Sequence, residues 1–331
     1  MPPNNTSDIF YSLFRISNYI NFITVVSLLI ILTFLFSLNT NQPITIFGQQ
    51  SNDQLDNKDI NINTVAVGDF YCNDETEDII ENIISVNPEL LITTGDHVKN
   101  VKSADCWIEM SETLKDKIKI AIGNHDRDSS KIYKQITRNH NLTSPYYSHN
   151  FKNIHFISLS TEHPFEQESK QYEFIKNDLE MTSTNPNIDW IIVHNHKTLY
   201  STKNDKEDAK ELRNTYHPLF EKYNVDLVLS SHNQYYERTY PILYNYENDE
   251  DPIIIDNSKS HYHNTEGIIY LTVGTAGDEL HGIEDKEGYY VVQKERHGFL
   301  NLKLENNGTT TIGEFHTNKG TVLDNFELIK S

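Results

Sequence analysis

Residues 118–126 read IKIAIGNHD, a short apolar run that ends abruptly in a glycine, an amide, an imidazole and a carboxylate. An Ile-rich run of this length, bounded by polar residues, is typical of a strand that is buried on both faces. Gly123, Asn124, His125 and Asp126 then lie just beyond the carboxyl end of that strand. The stretch therefore predicts a buried strand whose end presents groups able to bind a ligand.

The same pattern recurs four times along the chain. Apolar runs precede Gly68-Asp69, Gly95-Asp96, His194-Asn195-His196 and Ser230-Ser231-His232. Segments with a helical apolar stripe lie between these runs, and alternation of strand and helix predicts a largely parallel sheet. Residues 268–328 instead hold short β-type runs split by Gly and Asn, which predicts antiparallel strands added to this core. The fold class predicted for residues 61–331 is a four-layer α/β/β/α sandwich.

The polar clusters supply a potential metal site, because ligands in such sheets bind beyond the carboxyl ends of the strands. The groups gathered there contain carboxylates, amides and imidazoles but no thiolate, and they are Asp69, Asp96, Asn124, His125, Asp126, His194, His196, His232 and Gln234. Such a set suits Zn, Mn or Fe. Two cations about 3.5–4 Å apart, bridged by a carboxylate, can activate water against a phosphate ester.

Five segments, in this order, resemble the motifs of calcineurin-like metallophosphoesterases, and most nearly those of the purple acid phosphatase branch. They are GDFYCN (68–73), GDHVKN (95–100), GNHD (123–126), VHNH (193–196) and SHNQYYER (231–238). The resemblance implies two divalent or mixed-valence ions of Fe, Mn or Zn. It also implies a metal-dependent phosphomonoesterase in which metal-bound hydroxide attacks phosphorus.

The resemblance also implies a role for each matching residue. Asp96 would bridge the two ions, and Asn124, His196 and His232 would complete the second site. Asp69 would serve the first site, together with Gln234 at the place of a family histidine. His125 would be the catalytic residue that contacts the phosphate or protonates the leaving group.

The first site departs from the family pattern. Lys99 stands where the family has a tyrosine ligand, Gln234 replaces a histidine, and Tyr71 replaces a glycine. Three interpretations stay open. Gln234 with Tyr71 or water completes the site; or only one ion binds tightly and the Lys99 ammonium supplies part of the missing charge. In the third, catalysis is lost and the domain binds phosphorylated ligands. His194, on the strand face of His196, is a candidate ligand or a residue that supports one.

The N-terminal region predicts a membrane anchor. No charged residue occurs between Arg15 and Asp53, and residues 22–38 read FITVVSLLIILTFLFSL. We predict a cytoplasmic tail (1–18), a transmembrane signal anchor (19–38) and a polar linker (39–60), which places residues 61–331 outside the cytoplasm. The alternative is a cleaved signal peptide and secretion.

The two cysteines and the net charge bear on the compartment and the partners. Outside the cytoplasm, Cys72 and Cys106 are expected to form a disulfide, and two buried free thiols are the alternative. With 28 Lys+Arg against 48 Asp+Glu, the net charge of −20 argues against binding to a nucleic-acid backbone. The expected partners are a phosphoester substrate and, through the N-terminal helix, a membrane; the sequence does not specify an oligomeric state.

Overall fold

The computed structural model describes residues 61–202, 206–283 and 286–331. The predicted tail, anchor and linker therefore lie outside the described residues. Among the described helices, none combines the length and the apolar character that crossing a membrane requires.

The described elements alternate between strand and helix as far as the middle of the chain and are mainly strands after it. The strands are β1 (Ile62–Val67), β2 (Leu90–Thr93), β3 (Ile118–Ile120), β4 (Tyr147–Phe151), β5 (Ile154–Ser158), β6 (Trp190–Lys197), β7 (Leu227–Ser231), β8 (Tyr236–Thr239), β9 (Ile242–Leu243), β10 (Ile253–Ile254), β11 (His261–His263), β12 (Ile269–Val273), β13 (Tyr290–Lys294), β14 (Gly298–Glu305), β15 (Thr310–Thr317) and β16 (Val322–Ile329). The helices are α1 (Asp74–Val86), α2 (Val101–Ser111), α3 (Asn124–Arg127), α4 (Ser130–Asn139), α5 (Lys170–Thr182) and α6 (Lys206–Lys222), with 3₁₀ turns at Glu112–Lys117 and Asn306–Gly308.

Two seven-stranded sheets form a mixed α/β sandwich. The first sheet has the order β11-β16-β15-β14-β1-β2-β3, and the second has the order β13-β8-β12-β7-β6-β5-β4. Strands β1, β2 and β3 are parallel, as are β5, β6, β7 and β12. The predicted sandwich with two sheets is therefore confirmed. The parallel strands, which the sequence places in one sheet, are divided between both.

Two apolar clusters hold these layers together. One cluster joins residues of both sheets with α1 and α2, and it includes Leu91, Leu300, Phe156 and Ile192. The other packs the second sheet against α5 and α6. Neighbouring residues of β5 and β6 belong to different clusters because successive side chains of a strand point to opposite faces. Apolar runs without alternation are therefore explained by strands that are covered on both faces.

Strand β12 corrects the prediction that residues 268–328 add only antiparallel strands. It is parallel to β7 and antiparallel to β8. All five of its residues are buried, which fits a central strand with a neighbour on each side. The apolar run in the sequence indicates that this strand is buried. It carries no information about the direction in which the strand runs. Strand β14 is antiparallel to β1 and to β15, and β15 is antiparallel to β16, as predicted. Strand β16 is instead parallel to its other neighbour, β11.

A disulfide joins Cys72, in the loop after β1, to Cys106 in α2, with Cα atoms 6.1 Å apart. The bridge closes a sequence separation of 34 residues directly after the predicted ligand Asp69. It therefore ties the loop that presents Asp69 to the helix that follows the loop of Asp96.

We expect Cys72→Ser/Cys106→Ser to lower the free energy of unfolding by about 3–4 kcal/mol, because an unbridged denatured chain gains loop entropy. Urea unfolding measures this loss. Reduction of the wild type by dithiothreitol should reproduce the shift and should leave the double variant unchanged. An unchanged urea midpoint in the variant would contradict the prediction.

Candidate metal centre

The predicted ligands come from both sheets and meet where the strand ends of the two sheets face each other. Asp69, Asp96 and Asn124 follow β1, β2 and β3 of the first sheet, whereas His196 lies in β6 and His232 follows β7 of the second. The backbone N–H of His232 donates to Asp69 Oδ2 at 2.7 Å, which links the two groups directly. The single rim predicted from the sequence is therefore a junction between two sheets.

Four of these side chains converge on one point. His196 Nε2 lies 2.9 Å from Asn124 Oδ1, 3.2 Å from His232 Nδ1 and 3.3 Å from Asp96 Oδ2. Ligand atoms bonded to one ion at ~2.0–2.2 Å are separated from each other by about 3.0–3.5 Å. Ligand atoms of Asp96, His196 and His232 all lie within 4.8 Å of one another. The four donors therefore fit a single transition-metal ion.

The imidazole of His196 is held in the orientation that such an ion needs. The side chain is fully buried, and its Nδ1 lies 3.0 Å from the carbonyl oxygen of Thr94. An Nδ1–H that donates to a carbonyl leaves the Nε2 lone pair for a metal. The donor set at this second site is thus complete and correctly oriented.

Charges within the centre compete with metal binding. Burial lowers the pKa of His196, but the charge and hydrogen bond of Asp96 outweigh it and raise that pKa to about 10. Burial raises the pKa of Asp96, but His196 and then His125 lower it to about 2. In the protein without an ion, a proton on His196 therefore neutralises Asp96, and the ion must displace that proton.

Metal affinity should consequently fall as the pH falls. An ion would bind only the deprotonated imidazole of His196. Because the pKa of this imidazole lies near 10, each further pH unit below that value lowers the deprotonated fraction about tenfold. We expect the apparent affinity for Mn²⁺ to drop about tenfold per unit between pH 8 and pH 6. Competitive titration against a chelator with known affinity at each pH measures it. An affinity independent of pH would show that no proton leaves this site.

Unusual backbone conformations present the ligands. Asp69, Asp96 and His232 have φ angles of 59°, 51° and 67°, in the left-handed region that side chains other than glycine rarely adopt. Two glycines make room for the carboxylates: a Cβ on Gly123 would overlap Asp96 Oδ1, and a Cβ on Gly274 would overlap Asp69 Oδ2. Gly274 follows β12, which adds a sixth strand end to the five predicted from the sequence.

The first site is less complete. Asp69 is buried, and burial, aided by the charges of Asp96 and Asp278, raises its pKa to about 7. Gln234 Nε2 lies 3.4 Å from Asp69 Oδ1, and Gln234 Oε1 is buried with no hydrogen-bond partner in the described part of the chain. The first site thus has a buried carboxylate with a raised pKa and a buried amide oxygen without a hydrogen-bond partner among the described residues.

Lys99 contacts both Tyr71 and Asp278. Lys99 Nζ forms an ion pair with Asp278 and lies 5.9 Å from the ring centroid of Tyr71, a side chain that is 40% exposed. Asp278 was missed at the sequence level. It follows β12 in VGTAGD, so the same search for a Gly-Asp after a strand would have found it.

His125 lies at the edge of the centre. Its Nε2 is 4.0 Å from Asp96 Oδ2, its Nδ1 is 3.0 Å from Asp128 Oδ2, and its side chain is 34% exposed. Its backbone N–H donates to Asp96 Oδ1 at 2.9 Å. The imidazole is therefore accessible to a substrate and adjacent to the Asp96 carboxylate.

Two other residues from the strand ends are turned away from the four converging ligands. Asp126 is fully buried and accepts hydrogen bonds from the backbone of Gly123 and from the ring and backbone of His97. His194 is also fully buried, and burial lowers its pKa to about 3. Asp126 thus joins the loop that carries Asp96 to the loop that carries Asn124. The ring centroid of His194 lies 6.3 Å from that of Tyr147.

Residues 62–236, more than half of the chain, match the family described as calcineurin-like phosphoesterase. The chain belongs to this family. Its sequence is 29% identical over 193 residues to "Probable inactive purple acid phosphatase 27" of Arabidopsis thaliana, covering 56% of this chain and 30% of that protein. It is 25% identical over 255 residues to "Purple acid phosphatase 15" of the same plant, covering 64% and 44%.

A solved structure shows the same fold. The purple acid phosphatase PPD1 from yellow lupin superposes with a TM-score of 0.72 at 20% identity, covering 83% of this chain and 55% of that one. The chain spans about a third to a half of the length of the curated relatives named above. This family fold implies a binuclear metal centre, and the second site fits an ion whereas the first lacks two of its usual donors.

Proposed function

We propose that this member of the calcineurin-like phosphoesterases is a metal-dependent phosphohydrolase that acts on phosphate monoesters. The observation that carries the proposal is the convergence of Asp96, Asn124 and His232 on His196 Nε2 at 2.9–3.3 Å. Relatives named as acid phosphatases support the reaction class. The chain spans less than half of the length of these two relatives.

Different residues of the centre would have different roles in hydrolysis. A metal ion held by Asp96, Asn124, His196 and His232 would supply an activated water and would screen the charge that develops on phosphate. His125 Nδ1 is hydrogen-bonded to Asp128, so its Nε2 faces the centre and can protonate the leaving oxygen. Asp126 and His97 keep Asp96 and Asn124 in place from behind. His125 and His196 thus both approach Asp96 Oδ2, at 4.0 and 3.3 Å, so the proposed proton donor lies next to the proposed metal ligands.

We further propose that the phosphohydrolase domain (61–331) lies outside the cytoplasm, held by an anchor (19–38) and a linker (39–60). The uncharged segment between Arg15 and Asp53 supports the anchor, and the Cys72–Cys106 disulfide fits an oxidising compartment. N-terminal sequencing of the mature protein distinguishes an uncleaved anchor from a cleaved signal peptide.

A second candidate is a membrane-anchored module that binds phosphorylated ligands without turnover. Lys99 and Gln234 at the first site favour it, and one relative carries the name "Probable inactive purple acid phosphatase 27". This candidate has the same fold and the same second metal site as the enzyme. Only a measurement of turnover therefore distinguishes the two candidates.

The test uses the whole chain purified in detergent and loaded separately with Mn²⁺, Zn²⁺ or Fe²⁺. The enzyme proposal expects hydrolysis of an aryl phosphate with at least one metal and slower hydrolysis of a bis-aryl phosphate diester. Faster cleavage of the diester would make the protein a phosphodiesterase. No turnover with any metal from folded protein would refute the enzyme, and retained binding of inorganic phosphate would then favour the module.

A further inference from the structure

An ion pair of side chains joins Lys99, which stands at the place of the family's tyrosine ligand, to Asp278, a neighbour of Asp69. Lys99 Nζ contacts Asp278 Oδ2, and the Asp278 side chain is only 6% exposed. The backbone N–H of Asp278 donates to the Asp69 carbonyl oxygen at 3.0 Å. A nearly buried carboxylate thus holds an ammonium group on the Asp69 side of the centre.

The donors that remain there are poor ligands for a second ion. A protonated lysine has no lone pair to offer. Asp278 is already engaged, because its Oδ2 contacts Lys99 and its Oδ1 accepts from the backbone N–H of Glu279 at 2.7 Å. Gln234 Oε1 is the buried oxygen that a second ion would satisfy, but it is neutral. Asp69 also does not join the compact ligand group of Asp96, His196 and His232.

The charges of the centre balance with a single ion. Three carboxylates are buried together, those of Asp69, Asp96 and Asp278, with exposures of 1%, 3% and 5%. Buried charges require compensation. One divalent ion and the Lys99 ammonium carry three positive charges, which match these three carboxylates. A second divalent ion would add two further positive charges beside the Lys99 ammonium.

We propose that this centre holds one metal ion, bound by Asp96, Asn124, His196 and His232, and that Lys99 replaces the other ion of the family. Asp278 is the positioning residue that fixes the ammonium beside Asp69. Lys99 attracts phosphate oxygens as a point charge, but it does not activate water. This inference rests on the metal site of the proposed function and not on turnover.

The test counts ions in the whole chain without substrate, so a failure of hydrolysis does not affect it. After equilibration with Mn²⁺, elemental analysis of the wild type should give one ion per chain, and electron paramagnetic resonance should show an uncoupled six-line spectrum. Lys99→Tyr/Gln234→His restores the two missing donors and should bind two ions with a coupled spectrum. The matched control, Lys134→Tyr/Gln135→His on α4, makes the same changes away from the centre and should keep one ion.

Two results would overturn the proposal. Two Mn²⁺ ions of similar affinity in the wild type would show that Lys99 does not replace an ion. One ion in the Lys99→Tyr/Gln234→His variant would show that these residues do not exclude the second. If that variant does not fold, Lys99→Met provides a separate test. It should keep one ion but weaken binding of inorganic phosphate about tenfold, and unchanged phosphate affinity would contradict the role of Lys99.

Discussion

Asp96→Asn should empty the metal centre and reduce phosphatase turnover by on the order of 10³-fold, more than the 10–100-fold typical of losing a partner outside the ligand set. Asp96 is buried, with Oδ1 accepting from the His125 backbone and Oδ2 facing His196. Asparagine keeps the shape and an oxygen for the His125 N–H. The substitution therefore removes chiefly the negative charge that the ion and His196 share.

Metal content and kcat together measure this effect. Elemental analysis should find little Mn²⁺ in the variant at a concentration that saturates the wild type. Asp116→Asn makes the same change at an exposed position in the 3₁₀ turn Glu112–Lys117 and should leave both quantities unaltered. Full metal content and full turnover in Asp96→Asn would remove Asp96 from the centre and contradict the assignment.

The convergence of the candidate ligands was predictable because each one follows, or ends, an apolar run that the fold buries. IKIAI before Gly123 and WIIV before His194 show where two strands end, and the carboxyl end of a strand is where such folds bind ligands. The family motifs then separate His196 from His194, two residues on one strand face. In the structure His196 Nε2 contacts Asn124 Oδ1 at 2.9 Å, whereas His194 is not part of the compact group of Asp96, His196 and His232.

The pairing of strands and the contact of Lys99 with Asp278 were not predictable in the same way. Periodicity reports which faces are buried, but it does not state which sheet a strand joins or in which direction it runs. The sequence therefore does not indicate that β12 lies beside β7, or that the candidate ligands come from two different sheets. Lys99 and Asp278 are far apart in the chain, so only the tertiary fold shows that a lysine at a ligand position has a carboxylate partner.

Arg238→Met should lower the free energy of unfolding by about 3–5 kcal/mol, because it leaves a buried carboxylate without its partner. Arg238 is fully buried, and its Nε and Nη2 donate to Asp324 at 2.6 and 2.8 Å. Nη1 donates to Tyr262 Oη at 2.9 Å, and Tyr236 Oη donates to Asp324 at 2.7 Å. Because β8 belongs to the second sheet while β11 and β16 belong to the first, this network joins the two sheets.

Urea unfolding distinguishes an unpaired charge from simple loss of packing. Lys303→Met is the control, because Lys303 pairs with Glu314 at a side chain that is 36% exposed, and such pairs contribute less than about 1 kcal/mol. The double variant Arg238→Met/Asp324→Leu removes both charges and should recover most of the stability. If the double variant is as unstable as Arg238→Met, the cost comes from lost packing and from the hydrogen bonds of Tyr262 and Tyr236. Arg238 would then join the two sheets mainly through packing and hydrogen bonds, and its charge would contribute little.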